Sequence, residues 1–201
     1  MRTEQLVIVA GASAAILYMV YRSMQEQNQQ DQTQDPNAPM APVDTQPSLI
    51  DSMISTTSSM LGLWHPPAKY ADAIATAEAR YNLPQDLLAR LLYQESRYRE
   101  DIITGKTRSP VGALGIAQFM PATASQLGID ALDPFQAIDG AGRYLSSLYR
   151  QTGSWTEALA AYNWGIGNVK RKGITSAPTE TRNYFTQILA DVNSSTGQTL
   201  A

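Results

Sequence analysis

The sequence predicts an all-α domain, carried behind an N-terminal transmembrane helix and a disordered linker. Three observations point to it. From about Tyr70 onward, apolar residues recur at spacings of three and four, the period of a helix face. Helix start and stop residues punctuate those runs. No stretch shows the strict alternation of a half-buried strand, and no internal repeat is visible. The chain divides into residues 1–22, a membrane anchor; 23–64, a tether rich in Gln and Pro; and 65–201, the folded domain.

Leu6–Tyr21 runs 16 residues without a charged or amide side chain. As a helix it spans about 24 Å, a little short of a hydrocarbon core of roughly 30 Å. Arg2 and Arg22 suit snorkelling from its ends, and Tyr18 and Tyr21 suit an interface. It is read as an anchor in a lipid bilayer. A cleaved signal peptide and a soluble core helix are the rival readings; "ILYMVY" offers no small-x-small cleavage site. From Ser23 to Leu63 there is no aromatic residue, and Gln25–Gln34 and Pro36, Pro39, Pro42 and Pro47 mark an extended tether. Within it, Leu49, Ile50, Met53, Ile54, Met60 and Leu61 recur near helical spacing behind Ser48 and Asp51, a capping box.

In the folded part, Asn82-Leu-Pro-Gln is expected to open a helix with Pro84 in its first turn. Asp133-Pro134 opens another, with Phe135, Ile138, Ala141, Leu145 and Leu148 at core spacing and Gly153 as its stop. Ser154-Trp-Thr-Glu157 is a capping box before "ALAAY". A last helix near Thr181–Val192 places Phe185, Ile188, Leu189 and Val192 on one side.

Composition limits the chemistry. Net charge is −3, with 15 basic and 18 acidic residues, so no basic excess favours nucleic acid. There is no cysteine and a single histidine, His65, which removes thiol catalysis, thiolate metal sites and a His cluster for zinc. No metal or cofactor is expected. Carboxylates, hydroxyls, amides and aromatics remain.

One carboxylate is singled out by its position. Leu87, Leu88, Leu91 and Leu92 form an apolar stripe whose spacing continues into Glu95. A carboxyl on that face loses water, which raises its pKa toward the range of a general acid at neutral pH. The plainer reading is a Glu that bends to solvent or pairs with Arg90, Arg97 or Arg99. Downstream, Ser109-Pro-Val-Gly-Ala-Leu-Gly115 is turn-rich, and Gln118 sits between Ala117 and Phe119, where an amide needs a partner. Ala161-Tyr-Asn-Trp-Gly165 closes a helix with a hydroxyl, an amide and a glycine. Aromatic faces and amides of this kind suit a glycan.

Four blocks in order, Glu95-Ser96, Gly112-Ala-Leu-Gly-Ile-Ala-Gln-Phe-Met-Pro121, Ala161-Tyr-Asn-Trp-Gly165 and Glu180-Thr-Arg-Asn-Tyr184, resemble the soluble lytic transglycosylase (SLT) family, related to goose-type lysozymes. The resemblance covers roughly residues 68–192. It implies a lysozyme-like α-helical catalytic domain that cleaves the MurNAc-β-1,4-GlcNAc bond of peptidoglycan glycan strands. It further implies that Glu95 is the single catalytic acid/base. By the same resemblance Gln118 and Met120 line the glycan cleft, Tyr162 and Asn163 flank the scissile sugar, Ser109 is a loop serine near the cleft, and Glu180 and Tyr184 close it from the far side. With one carboxylate, the implied product is a 1,6-anhydro sugar.

The chain departs from the family pattern in three places. Arg97-Tyr98-Arg99-Glu100 stands where an aromatic and Asn-Pro are usual, the loop through "DIITGKTR" is longer, and Trp164 replaces a small residue. Two alternatives stay open. A hydrolytic muramidase needs a second carboxylate, for which Glu100, Asp101 and Glu180 are candidates. A binding or structural module of a virion or an envelope complex needs no activity at all.

Overall fold

The computed structural model describes residues 64–197 and 199–200. The predicted anchor and tether helix lie outside these residues, as does the tether up to its last residue, Trp64. Among the described residues, eight α-helices follow in order: α1 Ala68–Arg80, α2 Leu87–Ser96, α3 Glu100–Ile103, α4 Pro121–Leu127, α5 Pro134–Thr152, α6 Trp155–Trp164, α7 Ile166–Lys172 and α8 Thr179–Thr196. A 3-10 turn, Ile174–Ser176, joins α7 to α8. Among the described residues there is no strand, only an isolated antiparallel bridge between Leu114 and Phe119. None of the described helices is long and apolar enough to cross a membrane.

The helix α6 is the centre of the packing. It lies between α5 and α8, while α1 packs on α5 and α2 packs on α8. Its sequence explains the position: Ala158, Leu159, Ala160 and Ala161 are all fully buried, so it is apolar around most of its circumference. Small side chains let its neighbours approach closely. Ser154 caps it through its Oγ, which accepts from the Glu157 amide at 3.4 Å. Asp133 caps α5, accepting from the amides of Phe135 and Gln136 at 2.9 and 3.1 Å, and Gly153 ends it in the left-handed conformation.

Two expectations are corrected. Phe135 is not a core residue: it is 56% exposed and meets Tyr70 edge-on at 6.1 Å. It sits in the first turn of α5, ahead of the buried face that begins at Ala137 and Ile138. Pro84 is not in the first turn of α2, which starts at Leu87. The delay has a physical cause in α1. The buried Glu78 carboxylate accepts from the amides of Leu88 at 2.9 Å, Asp86 at 3.2 Å and Ala89 at 3.3 Å. It therefore satisfies the orphan donors of α2 in place of a local cap. Asp86, the residue at the cap position, is left-handed, and its carboxylate accepts from Ser195 Oγ of α8 at 2.8 Å.

Leu87, Leu88, Leu91 and Leu92 of α2 are fully buried, as their spacing predicts. Such burial contributes about 1.5–3 kcal/mol per side chain and fixes the rotation of the helix that carries Glu95. Glu78 holds that helix at its other end. Glu78→Ala is expected to lower urea-measured stability by about 2 kcal/mol at pH 7, because three amides lose their acceptor. Glu78→Gln, which keeps an acceptor oxygen, is expected to lose less than half as much.

Candidate active site

The residues that form the site come from both ends of the chain's helical domain. Glu95 lies in the last turn of α2, where the apolar stripe meets α8. Its Oε1 accepts a hydrogen bond from the Tyr184 hydroxyl of α8 at 2.5 Å. None of the three nearby arginines takes it: Arg90 pairs with Asp191 at 3.8 Å, Arg99 with Asp101 at 2.6 Å, and Arg97 bonds Gln94 at 3.1 Å. Burial pushes the Glu95 carboxyl up to about 7, against the pull of the Tyr184 hydrogen bond, which favours the ionised form. A carboxylic acid poised there has both protonation states available at neutral pH.

The turn after Glu95 is built by Ser96. Its side chain is fully buried, donates to the Leu92 carbonyl at 3.1 Å and accepts from the Tyr98 amide at 3.2 Å. Arg97 and Tyr98 are both left-handed, each with φ of +53°. Tyr98 then turns back under α2 and donates its hydroxyl to the Ala89 carbonyl at 2.8 Å.

Beside Glu95 opens a cleft of about 890 Å³ between α2 and α8. Of the expected site residues, Glu95, Asn163, Glu180 and Tyr184 line it together. Asn163 is exposed, and its Oδ1 accepts from Thr181 Oγ1 at 2.7 Å, which leaves the amide nitrogen as the group free to donate. Glu180 is exposed in the first turn of α8.

Tyr162 lies behind this wall. Its hydroxyl donates to the Ala117 carbonyl at 3.0 Å, and its phenol is pushed well above the usual tyrosine range by burial and by the nearby Glu95 carboxylate. Its ring packs against Tyr144 at 5.5 Å and Phe119 at 5.8 Å. Through that contact the loop bearing Gln118 and Met120 is tied to the helix bearing Asn163. Gln118 answers its own desolvation by donating Nε2 to the Gly115 carbonyl at 2.8 Å, in a left-handed conformation. Gly115 cannot be replaced without movement, since a Cβ there would lie 1.8 Å from the Ala131 carbonyl oxygen. Met120 is 44% exposed, and Ser109 Oγ accepts from the Val111 amide at 3.3 Å. Ser109, Gln118 and Met120 are not among the residues lining the cleft at Glu95.

Tyr93, Gln94, Arg97, Asn183, Gln187 and Asp191 also line the cleft and were not expected from the sequence. A signal was present. Glu180, Asn183, Tyr184, Gln187 and Asp191 follow helical spacing, a polar stripe beside the apolar one of α8. Of the carboxylates weighed as partners of Glu95, Glu100 pairs with Lys69 and Asp101 with Arg99, and both are held below their usual range by those cations. Only Glu180 shares the cleft.

Comparison with known proteins matches the chain to one family. The family described as "Transglycosylase SLT domain" matches residues 72–185. Membrane-bound lytic murein transglycosylase F 2 of Alkalilimnicola ehrlichii is 37% identical over 109 residues, covering 50% of this chain and 23% of the relative. The transglycosylase of Enterobacteria phage PRD1 is 32% identical over 123 residues, covering 61% of this chain and 42% of the relative. The chain thus spans less than half the length of these relatives. Among solved structures, an inactive mutant of lytic transglycosylase Slt from Pseudomonas aeruginosa aligns with a TM-score of 0.54 and 23% identity, over 72% of this chain and 27% of that one. That likeness concerns the fold.

Glu95 is expected to cost stability when ionised. Its folded pKa of about 7 exceeds the model-peptide value of 4.5, so the folded state binds the proton more tightly. Stability is therefore full below about pH 4.5 and declines as pH rises toward 7. Glu95→Gln removes the penalty. Urea unfolding is expected to show equal stability at pH 4 and a gain of roughly 2–3 kcal/mol for the variant at pH 8. Parallel pH curves would contradict the shift.

Proposed function

The chain belongs to the transglycosylase SLT domain family, and we propose that it is a membrane-anchored peptidoglycan lytic transglycosylase. The observation that carries the proposal is Glu95: a half-buried carboxylic acid in a polar cleft, with a pKa near 7 and a single hydrogen-bond donor, Tyr184. Its substrate is the glycan strand of peptidoglycan, cut at the MurNAc-β-1,4-GlcNAc bond.

The steps follow from the one acid. Protonated Glu95 gives its proton to the glycosidic oxygen as the C1–O bond breaks and positive charge develops at C1. The N-acetyl oxygen of the same sugar supports C1, in place of a protein nucleophile. Glu95 is now ionised, and the Tyr184 hydroxyl stabilises that form. The carboxylate removes the proton of the muramyl 6-hydroxyl, whose oxygen closes on C1 and displaces the N-acetyl oxygen. The product is a 1,6-anhydro sugar, and Glu95 is protonated again. Neither water nor a second carboxylate enters.

Asn163, whose Oδ1 accepts from Thr181, donates its amide nitrogen to the sugar beside the scissile bond, and the neighbouring Tyr162 flanks the same sugar. Gln118, Met120 and Ser109 extend the glycan site along the loop that Tyr162 holds. Glu180 and Tyr184 form the opposite wall. The stretch Leu6–Tyr21 anchors the enzyme in a lipid bilayer, and residues 23–64 tether the domain to that anchor, to act on a wall beside the membrane. Local wall opening by a bacterial envelope complex and by a phage virion both fit that arrangement; relatives bearing membrane-bound and phage names support each setting.

Product analysis tests the proposal. The full chain incubated with purified peptidoglycan is expected to release anhydro-muropeptides, detected by mass, and Glu95→Gln to reduce the rate at least ~100-fold. Reducing-end products would instead mark a hydrolase and direct attention to Glu180. With Glu95 as the acid, kcat/KM is expected to fall tenfold per pH unit above about 7. Tyr184→Phe removes the donor that favours the ionised form, so the midpoint of that fall is expected to move upward.

A further inference from the structure

Arg97 stands at a position where the fold asks only for backbone conformation. It follows the last residue of α2 with φ +53° and ψ 21°, the left-handed geometry that commonly ends a helix and that glycine adopts freely. A residue with a β-carbon costs about 1–2 kcal/mol there. The helix end is already satisfied by Ser96 and by the bond from the Arg97 amide to the Tyr93 carbonyl, so the arginine side chain is not needed to form the turn.

That side chain is nevertheless held in place. Its guanidinium lies over the Tyr93 ring, 4.6 Å from the centroid, and one Nη2 donates to Gln94 Oε1 at 3.1 Å. Its neighbours Arg90 and Arg99 are each paired with a carboxylate, whereas Arg97 has no carboxylate partner among the described residues. It lines the Glu95 cleft, whose other charged lining residues, Glu95, Glu180 and Asp191, are all acids. The cleft therefore offers an entering anion one pre-oriented cation, two residues from the catalytic acid. A stacked guanidinium with free donors is suited to bidentate recognition of a carboxylate.

We propose that Arg97 is a specificity-determining residue that binds a carboxylate of the peptide stem on the muramyl sugar at the scissile bond. The inference rests on the reading of the chain as a peptidoglycan lytic transglycosylase. Substrate chemistry supports the choice of group. The lactyl carboxyl of muramic acid is consumed in the amide to the stem, so a neutral glycan presents no anion and the stem carboxylates are the anions nearest the sugar. Arg97 acts on binding and not on the acidity of Glu95, which responds to its own burial and to Tyr184.

The test compares stem-bearing glycan strands with the same strands after their stem carboxylates are converted to neutral amides, using the full chain and the variants Arg97→Gly and Arg97→Lys. The ratio of kcat/KM on unmodified to amidated strands is expected to fall about tenfold in Arg97→Gly, mainly through KM, and to recover in part in Arg97→Lys. Arg97→Gly is also expected to be more stable than wild type, because the left-handed strain is relieved. An unchanged ratio, or an equal loss on both substrates, would overturn the proposal. If the wild type cleaves neither substrate, the activity reading falls, and calorimetric titration with a stem-bearing disaccharide and with its form whose stem carboxylates are amidated still decides Arg97. Carboxylate-dependent affinity lost in Arg97→Gly upholds it; equal affinity in both proteins overturns it.

Discussion

Everything at the site depends on keeping one carboxyl group out of water without pairing it to a cation. A Glu in the last turn of a helix, with arginines two and four residues beyond it and another five before, would ordinarily find a guanidinium and ionise at low pH. Here each arginine is engaged elsewhere, and Glu95 faces the phenol of Tyr184. A hydroxyl donor steadies the anion far less than a cation does, so burial dominates and the acid titrates near neutrality.

That arrangement is held by contacts remote from the cleft. Glu78 of α1 caps α2 from outside its own sequence neighbourhood, and the buried leucines of α2 set its rotation. The fully buried Ser96 turns the chain sharply after Glu95, which frees Arg97 to lie along the cleft wall. On the opposite side, α8 contributes Glu180, Asn183, Tyr184, Gln187 and Asp191 from successive turns of one helix. The Tyr162–Tyr144–Phe119 cluster joins the loop of Gln118 to α6, so elements far apart in sequence share one aromatic foundation.

The helical class, the capped starts at Asp133 and Ser154, the stop at Gly153 and the place of Glu95 at the end of the buried stripe of α2 were all legible in the sequence, because each follows from local spacing or a cap within three residues. What was not legible is long-range. The rule that drew attention to Glu95, an acid continuing an apolar stripe, applies equally to Glu78 after Ile74 and Ala77. Only the folded chain separates them: three backbone amides meet Glu78, which makes it a helix cap, whereas a cleft and a single phenol meet Glu95. Phe135 failed as a core residue for a related reason, since periodicity identifies a face without saying where along the helix that face becomes covered. The polar stripe of α8 was present in the sequence, but a polar stripe has the same appearance whether it faces solvent or a cleft.

The most direct test of this account is the ionisation of Glu95 itself. Carbon-detected NMR titration of the side-chain carboxyls, with Glu95→Gln used to assign the resonance, reads that value without substrate. The account predicts a midpoint near 7 for Glu95. A midpoint at or below about 4.5, that of an ordinary exposed Glu, would contradict it, since no proton would then remain on Glu95 at neutral pH to begin the reaction.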